Sequence, residues 1–440
     1  MRSPRLSSCL LLTALFLSTT LLTPHPIQLN VSRSIAAVGS PNTFAPHDLS
    51  DFLHKGAGLG FLKPLQSVNG SQTLNQPVQV GAWGDAGSVG NTGVQVEILT
   101  NSYNVSRGQE DAFWVGDVLS DGSFVQFGYL ILPPGFYCLT AHLTANGTSC
   151  SGAGEDVALS DARWFWAYFP NAQVVDDWYY GFGPANSVGS NSTWHLYSIL
   201  PSGLGDWSFV MDGVTVYTSN FSSNPSTSPA HLVAEQTSGP YLSQLGPVEF
   251  RDLAYLGADS QWHGTSSLSL IDGCGAAADG SCLVSNAYGV ESAGPNDVIA
   301  GSNVPTPVEG QLVWERESTC TLGTNLSTIG QVGDAPLNVT LIDSVSSPQG
   351  SFRADWWFGD GSHDAGSLNQ TVTYQTPGNY TPLVRVLDST GCLSEASGEV
   401  SVAASNNSTF GTATAPATSL SVQVSTLCPV PPRNADAPSE

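Results

Sequence analysis

The sequence predicts an all-β protein in which a large sandwich is followed by a small Ig-like sandwich. Between residues 76 and 303, short runs rich in β-branched and aromatic residues are separated by Gly, Pro, Asn and Asp. This pattern is typical of many strands joined by tight turns. No stretch places apolar residues at helical spacing, and many strands without helices favour a sandwich or a barrel.

Two segments carry the strand signal most directly. In residues 94–99 apolar and polar side chains alternate, as expected of a strand with one buried face. Residues 207–217 place Asp212-Gly213 between two alternating runs. Because Asp-Gly readily adopts the two positive φ angles of a type I′ turn, we predict a β-hairpin at this point.

Charge is scarce in this chain and mostly negative. Charged residues make up 11% of the sequence, against about 25% in ordinary soluble domains. The net charge is −24, and Lys55 and Lys63 are the only lysines. Such a chain cannot neutralise phosphates, which excludes nucleic acid as a partner. The acidity favours either solubility or work at low pH, where carboxylates are protonated, and composition leaves both open.

The two ends of the chain predict export and flexibility. Residues 1–30 combine Arg2 and Arg5 with the uncharged run Leu10 to Leu22, which indicates a signal peptide or an N-terminal anchor. We expect residues 31–75 to be a loosely ordered lead segment and residues 404–440 a flexible tail. Later segments are too polar to span a bilayer. Asn-x-Ser/Thr sequons recur throughout the chain, so we predict a glycosylated protein that is secreted or associated with the cell surface.

The cysteines also favour an oxidising compartment. Their spacing suggests two short disulfide loops, Cys138–Cys150 and Cys274–Cys282. The remaining three, Cys320, Cys392 and Cys428, leave one thiol unpaired, and the sequence does not say which. Metal-ligand spacing of Cys and His is missing from the sequence, so we predict neither a metal nor another cofactor.

A second unit follows a short linker. Val304-Pro305-Thr306-Pro307 opens the predicted linker, residues 304–318, and residues 319–403 have the size of an Ig-like domain. The runs of this unit resemble the PKD family in their order: Trp357-Phe358-Gly359-Asp360-Gly361, Val372-Thr373-Tyr374, Pro377-Gly378-Asn379-Tyr380 and Val384-Arg385-Val386-Leu387-Asp388. We expect Trp357 to fill the space between the PKD sheets, and the two glycines to permit a tight turn.

Four blocks of the large domain, taken in order, resemble the glutamic peptidases (eqolisins). They are Phe113-Trp114-Val115-Gly116 with Phe124-Val125-Gln126-Phe127-Gly128, then Arg163 to Pro170, then Ala230-His231-Leu232-Val233-Ala234-Glu235, and finally Leu245 to Phe250. The resemblance implies a concanavalin A-like jelly roll over residues 76–303.

The same resemblance implies a catalytic pair, Gln126 and Glu235, in an acid-active endopeptidase. Glu235 would take a proton from the attacking water, and Gln126 would stabilise the oxyanion. Substrate-binding residues would be Trp114, Trp164, Trp166 and Tyr168. The sequence departs from the family at Ala167, where the aromatic strand usually carries a Glu.

A non-catalytic extracellular protein that binds carbohydrate or another surface polymer is the alternative hypothesis. The aromatic run from Trp164 to Phe169, with Trp178, Tyr179 and Tyr180, would supply core packing on one face and could line a groove with the other. Such a groove suits an extended polypeptide or a polysaccharide, and the sequence leaves both open.

Overall fold

The computed structural model confirms the all-β prediction. The structure describes residues 78–85, 92–103, 105, 110–119, 121–144, 147–151, 153–171, 177–189, 192–202, 206–220, 230–236, 245–274, 288–304, 312–316 and 319–405. Within these ranges the regular secondary structure is all strand. None of the described segments forms a helix long and apolar enough to cross a membrane.

The large sandwich contains twenty strands. They are β1 (Val78–Asp85), β2 (Val94–Leu99), β3 (Asp111–Val118), β4 (Phe124–Leu132), β5 (Gly135–Cys138), β6 (Thr140–Thr144), β7 (Gly147–Cys150), β8 (Gly154–Val157), β9 (Asp161–Phe169), β10 (Asp177–Phe182), β11 (Trp194–Pro201), β12 (Trp207–Met211), β13 (Val214–Thr218), β14 (Ala230–Gln236), β15 (Val248–Leu256), β16 (Trp262–Gly264), β17 (Ser267–Cys274), β18 (Tyr288–Gly294), β19 (Asp297–Ser302) and β20 (Leu312–Glu315).

Two large sheets make this sandwich. Sheet one has 10 strands in the order β20-β17-β1-β14-β3-β4-β9-β10-β6-β7. Sheet two has 8 strands in the order β13-β12-β11-β2-β15-β19-β18, with β16 paired to β15. Strand β20 falls inside the stretch predicted as a linker, and it forms one edge of sheet one. The strands β5 and β8 form a separate two-stranded ribbon.

Strand alternation divides the apolar side chains of sheet one between two cores. Val125, Phe127 and Tyr129 of β4 lie in the core between the two sheets. Phe124 and Leu130 of the same strand lie in a second core on the outer face of sheet one. Because successive side chains of a strand point to opposite faces, a strand buried on both sides contributes to both cores.

The small sandwich contains ten further strands. They are β21 (Gly323–Ile329), β22 (Val332–Asp334), β23 (Leu337–Ser346), β24 (Phe352–Trp357), β25 (His363–Ala365), β26 (Asn369–Tyr374), β27 (Gly378–Tyr380), β28 (Leu383–Asp388), β29 (Leu393–Ser397) and β30 (Val400–Ala403). They form sheets in the orders β21-β23-β26, β22-β30-β27 and β25-β24-β28-β29.

The core of the small sandwich corrects one expectation. Trp356, not Trp357, fills the space between its sheets, together with Val339 and Val386. The Trp356 indole Nε1 donates a hydrogen bond to the Ser367 carbonyl at 2.7 Å. Trp357 is buried as well, but it follows Trp356 in the strand and therefore takes the opposite face.

Both predicted turns have the expected backbone. Asp212 and Gly213, between β12 and β13, have φ angles of 53° and 78°, which confirms the hairpin. Gly359 and Gly361 have φ angles of 78° and 89°. At Gly359 an added Cβ would lie 2.8 Å from the Thr381 nitrogen, so this turn needs glycine for space as well as for its dihedral angle.

Two disulfides join described residues. Cys138–Cys150 confirms the predicted short loop, with a sequence separation of 12. Cys320 pairs with Cys392 across 72 residues, which resolves the pairing that spacing left open. Cys282 and Cys428 lie outside the described residues, and of Cys274 the structure describes only the backbone.

The longer disulfide should be the more stabilising of the two. A crosslink lowers the entropy of the unfolded chain roughly with the logarithm of loop length, which gives about 4 kcal/mol for a loop of this size and about 3 kcal/mol for the shorter one. We expect the double variant Cys320→Ala/Cys392→Ala to lose more free energy of unfolding than Cys138→Ala/Cys150→Ala in urea denaturation of the full chain. An equal or smaller loss would contradict the prediction.

Candidate functional site

Gln126 lies on the outer face of sheet one, within the aromatic core there. On β4 it follows Phe124 by two residues and shares its face, and its side chain is 1% exposed. Its Oε1 has no hydrogen-bond partner among the described residues. A buried amide oxygen without a donor costs free energy, so Gln126 is an exception in otherwise apolar packing.

Two small residues flank Gln126 in the sheet. Strand β3 places Gly116 opposite Gln126 on one side, and β9 places Ala167 opposite it on the other. The resemblance to glutamic peptidases implies a carboxylate at position 167. This chain has a methyl group there, directly beside the predicted catalytic amide.

Glu235 does not lie opposite Gln126. On β14 the residue that pairs with Gly116 is His231, whereas Glu235 pairs with Ala112. Glu235 is therefore two strands away from Gln126 and four residues along. At about 3.4 Å per residue and about 4.8 Å per strand, this offset separates the two Cα atoms by about 17 Å. One shared water requires a much shorter distance between the two side chains.

Trp114 shares the face of Gln126. Its ring is fully buried and meets Phe124 edge-on at a centroid distance of 5.8 Å. A Cβ at Gly116 would lie 2.8 Å from Trp114 Cζ3, so the indole occupies the space above this glycine. Packing alone therefore explains why glycine follows two residues after the tryptophan.

The other three predicted substrate-binding residues point away from Gln126. Trp166 and Tyr168 belong to the core between the sheets, and Trp164 packs against that core. Trp166 stacks on Tyr217 of β13, with ring centroids 4.2 Å apart and planes 6° from parallel. Since Ala167 is on the Gln126 face, its sequence neighbours must take the opposite one.

Tyr168 is also the inner end of an aromatic row that reaches solvent. Strand register aligns Tyr168 of β9 with Tyr179 of β10, and Tyr179 with His142 of β6. We call these three residues the tyrosine strip. The Tyr179 ring stacks on His142 at 4.0 Å with planes 7° from parallel, and Tyr168 lies 6.3 Å away. Tyr179 is 38% exposed.

The tyrosine strip lies where sheet one extends past sheet two. Tyr217, on the terminal strand β13 of sheet two, stacks on β9. Strands β10, β6 and β7 come after β9 in sheet one, beyond that edge. The carboxylate of Asp177 binds His142 Nε2 at 2.7 Å beside the strip and is half exposed.

Sequence reasoning included Tyr179 in an aromatic run but missed His142 entirely. Nothing in the local sequence distinguishes this histidine, because only the register of β6 against β10 brings it onto Tyr179. Burial raises the pKa of the Tyr168 hydroxyl, which also hydrogen-bonds with Ser123. Tyr168 is therefore a neutral hydrogen-bonding group at the inner end of the strip.

Arg163 is a further buried group on sheet one. It is 1% exposed, donates twice to the Glu155 carboxylate at 2.9 and 3.0 Å, and donates to Asp161 at 2.7 Å. Hydrogen bonding from Arg163 lowers the pKa of Glu155. This arginine is satisfied by its own sandwich and serves structure.

Comparison with known proteins assigns the small sandwich and leaves the large one less defined. One solved structure found is scytalidoglutamic peptidase with a peptide-based transition-state analogue, at 12% identity and a TM-score of 0.29, covering 51% of this chain and 98% of that chain. Another is the F1240A mutant of HCR/D, at 9% identity and a TM-score of 0.15, covering 74% and 85%. The curated proteins contain no match. The family model for the PKD domain matches residues 330–402, so the small sandwich is a PKD domain.

Proposed function

We propose that the large sandwich is a non-catalytic relative of the glutamic peptidases that binds a neutral polysaccharide at the tyrosine strip. The observation that carries the proposal is the exposed Tyr179 ring, which stacks face to face on His142, with the Asp177 carboxylate beside the pair. A pyranose ring has an apolar face of C–H groups and a rim of hydroxyls. A flat aromatic surface accepts the face, and a carboxylate accepts hydrogen bonds from the rim.

Charge favours a neutral sugar over an anionic one. The chain carries a net charge of −24, and the charged group that binds His142 of the tyrosine strip, Asp177, is itself a carboxylate. An acidic polysaccharide would be repelled both by the whole protein and at the strip. Export and attachment to a cell surface, which the N-terminal segment and the sequons predict, would bring such a domain among polysaccharides.

Peptidase activity is the second candidate, and sequence order favours it. The first three blocks that resemble glutamic peptidases fall on β3, β4, β9 and β14, which are neighbours in sheet one, and the fourth leads into β15 of sheet two. Against catalysis stand the burial of Gln126, the alanine beside it, and the offset of Glu235 by four residues. We therefore propose Gln126 and Glu235 as remnants of a catalytic pair.

Substitution of Tyr179 tests the polysaccharide proposal. We expect Tyr179→Ala to weaken binding of a soluble neutral β-glucan about tenfold in affinity electrophoresis, because the stacking surface is lost. Tyr179→Phe keeps the ring and should bind nearly as well as the native chain. Phe136→Ala, which removes another exposed aromatic ring (44% exposed) on the β5–β8 ribbon, is the matched control. Equal loss in Phe136→Ala, or no loss in Tyr179→Ala, would refute the assignment.

An acid proteolysis assay tests the catalytic alternative. At about pH 3, where a glutamic peptidase would need an ionised base, we expect the native chain to cleave denatured protein no faster than a blank. Glu235→Gln should give the same result. Cleavage by the native chain that Glu235→Gln abolishes, without loss of thermal stability, would establish a peptidase and overturn the non-catalytic proposal.

A further inference from the structure

The PKD domain docks on the outer face of sheet two. In β2, Val94 and Val96 enter the core of the large sandwich, so alternation turns Gln95 and Glu97 outward. Both outward residues are buried, at 2% and 0% exposure. What covers them is the four-stranded PKD sheet, because Gln95 Nε2 donates to Glu395 Oε2 of β29 at 2.7 Å. The interface therefore joins two sheet faces.

Charged residues fill most of this interface. We call the following residues the charge network: Glu97, Arg251 and Asp252 of the large sandwich, and Arg353, Asp355, Arg385 and Glu395 of the PKD domain. An apolar cluster lies at one end, where Leu387 and Leu393 pack with Ala254 and Trp262.

Glu97 occupies the centre of the network. Arg251 donates to Glu97 Oε2 from Nε at 2.8 Å and from Nη2 at 2.6 Å. Arg385 Nη1 lies 3.5 Å from Glu97 Oε1 and donates to the Asp252 carbonyl at 3.2 Å. Arginines from both domains therefore converge on one fully buried carboxylate.

A β-bulge brings Asp252 into the same network. The register of β15 against β2 shifts between Arg251 and Ala254, and Asp252 has a φ of 59°. Bulges commonly redirect a side chain in this way. Asp252 accepts a hydrogen bond from Arg353, which also donates to Asp355 at 2.7 Å. Two consecutive residues, Arg251 and Asp252, can therefore both face the PKD domain.

The network contains more carboxylates than guanidinium groups. Four acids, Glu97, Asp252, Asp355 and Glu395, face three arginines, Arg251, Arg353 and Arg385. Of these, Glu97, Asp252 and Arg385 are fully buried. An unbalanced charge in such a place carries a large desolvation cost, which protonation of one carboxyl group removes.

We infer that the PKD domain is held on the large sandwich by a proton-dependent latch. In the docked state the charge network takes up at least one proton, and it releases this proton when the domains separate. Docking therefore weakens as the solution becomes alkaline, and the two domains form a single rigid block at neutral to mildly acidic pH.

The electrostatics of the individual groups agree with the charge imbalance. Burial raises the pKa of Glu97 to about 8, partly offset by Arg251. Burial also raises the pKa of Asp355 and of Glu395. Asp252 is the exception: although burial acts to raise its pKa, Arg353 and Arg385 hold it below the ordinary value. Glu97, Asp355 and Glu395 are therefore the groups that can hold the proton, and Glu97 is the one at the centre of the network.

These directions set the pH window of the latch. A carboxyl group with a raised pKa favours docking at low pH, and this contribution is lost as the pH rises from the ordinary value of 4.5 through about 8. Asp252, with its lowered pKa, acts in the opposite sense, but only below its ordinary value of 3.8.

Other titratable groups border the interface. Asp297, near Asp252 and Arg353, has a pKa raised to about 8 by burial and by Glu249, whereas Arg353 of the PKD domain acts to lower it. At the other end the His195 and His363 rings are 6.0 Å apart. Burial acts to lower the pKa of His195, but its hydrogen bond with Asp212 at 2.6 Å helps to hold this pKa above the ordinary value.

The chain is well suited to a direct measurement. The chain has 12 basic residues, and Lys55 and Lys63 are the only lysines among them. The remaining ten are arginines, so few arginine side chains contribute to a nuclear magnetic resonance spectrum. Exchange of the Arg385 Nε–H with solvent reports on undocking. Arg163, equally buried but bound within the large sandwich, is the internal reference.

We expect the protection of the Arg385 Nε–H, relative to Arg163 in the full chain, to fall at least tenfold from about pH 6.5 to about pH 8.5. Glu97→Gln, which mimics the protonated acid, should abolish most of this fall. Glu291→Gln, which removes an exposed carboxylate of sheet two, should leave it intact. If Arg163 also loses protection in the Glu97→Gln variant, Asp355→Asn replaces Glu97→Gln as the test variant.

Two outcomes would overturn the latch. The first is a failure of the pH dependence: the protection of the Arg385 Nε–H stays constant or rises with pH, or its fall persists unchanged in Glu97→Gln. The second is that a metal cation, not a proton, balances the excess negative charge. Carboxylate oxygens of Glu97, Asp252 and Asp355 lie within 4.8 Å of one another, which is close enough to bind one cation together. Loss of Arg385 protection on adding a chelator at about pH 6.5 would assign the balancing charge to a metal ion.

Discussion

The two-residue alternation of side chains along a strand determines the organisation of this protein. In β9 it separates Trp166, which packs between the sheets, from Ala167, which lies beside Gln126. In β2 it separates Val96 from Glu97, and so places a carboxylate under the PKD domain. The same constraint acts in β24, where Trp356 enters the PKD core and its neighbour Trp357 does not. The candidate site, the cores and the domain interface are all determined by which face of its sheet each strand residue points to.

Local sequence was sufficient for the features that depend on neighbours in the chain. Asp212-Gly213 forms a turn because both residues readily adopt a positive φ. In the PKD signature, Gly359 and Gly361 likewise stand where the turn has positive φ angles. The site could not be predicted in the same way. Whether Glu235 or His231 lies in line with Gln126 depends on the register of β14 against β3. A register is a property of pairing between distant segments, and the order of blocks along the chain does not specify it.

The domain interface was beyond sequence reasoning for a related reason. Glu97 and Arg385 are 288 residues apart, and although Arg385 lies in one of the PKD runs, nothing in that run indicates a partner outside the domain. The available signal was the polar half of the alternation in residues 94–99, since a polar strand face next to an apolar one indicates either solvent or a polar partner. The scarcity of cations adds to this signal. A chain with 12 basic residues against 36 acidic ones that commits three arginines to one interface uses a large part of its positive charge there.

Coverage of the sandwich faces also determines where a ligand can bind. The outer face of sheet one is packed with Trp114, Phe124 and their neighbours, and the outer face of sheet two is covered by the PKD domain. On sheet one, the exposed Tyr179 ring lies in the part of the sheet beyond β13, where it stacks on His142. A docked PKD domain covers sheet two and leaves this overhang free. Polymer binding and docking can therefore operate independently, and loss of the latch at alkaline pH would change the reach of the PKD domain without altering the tyrosine strip.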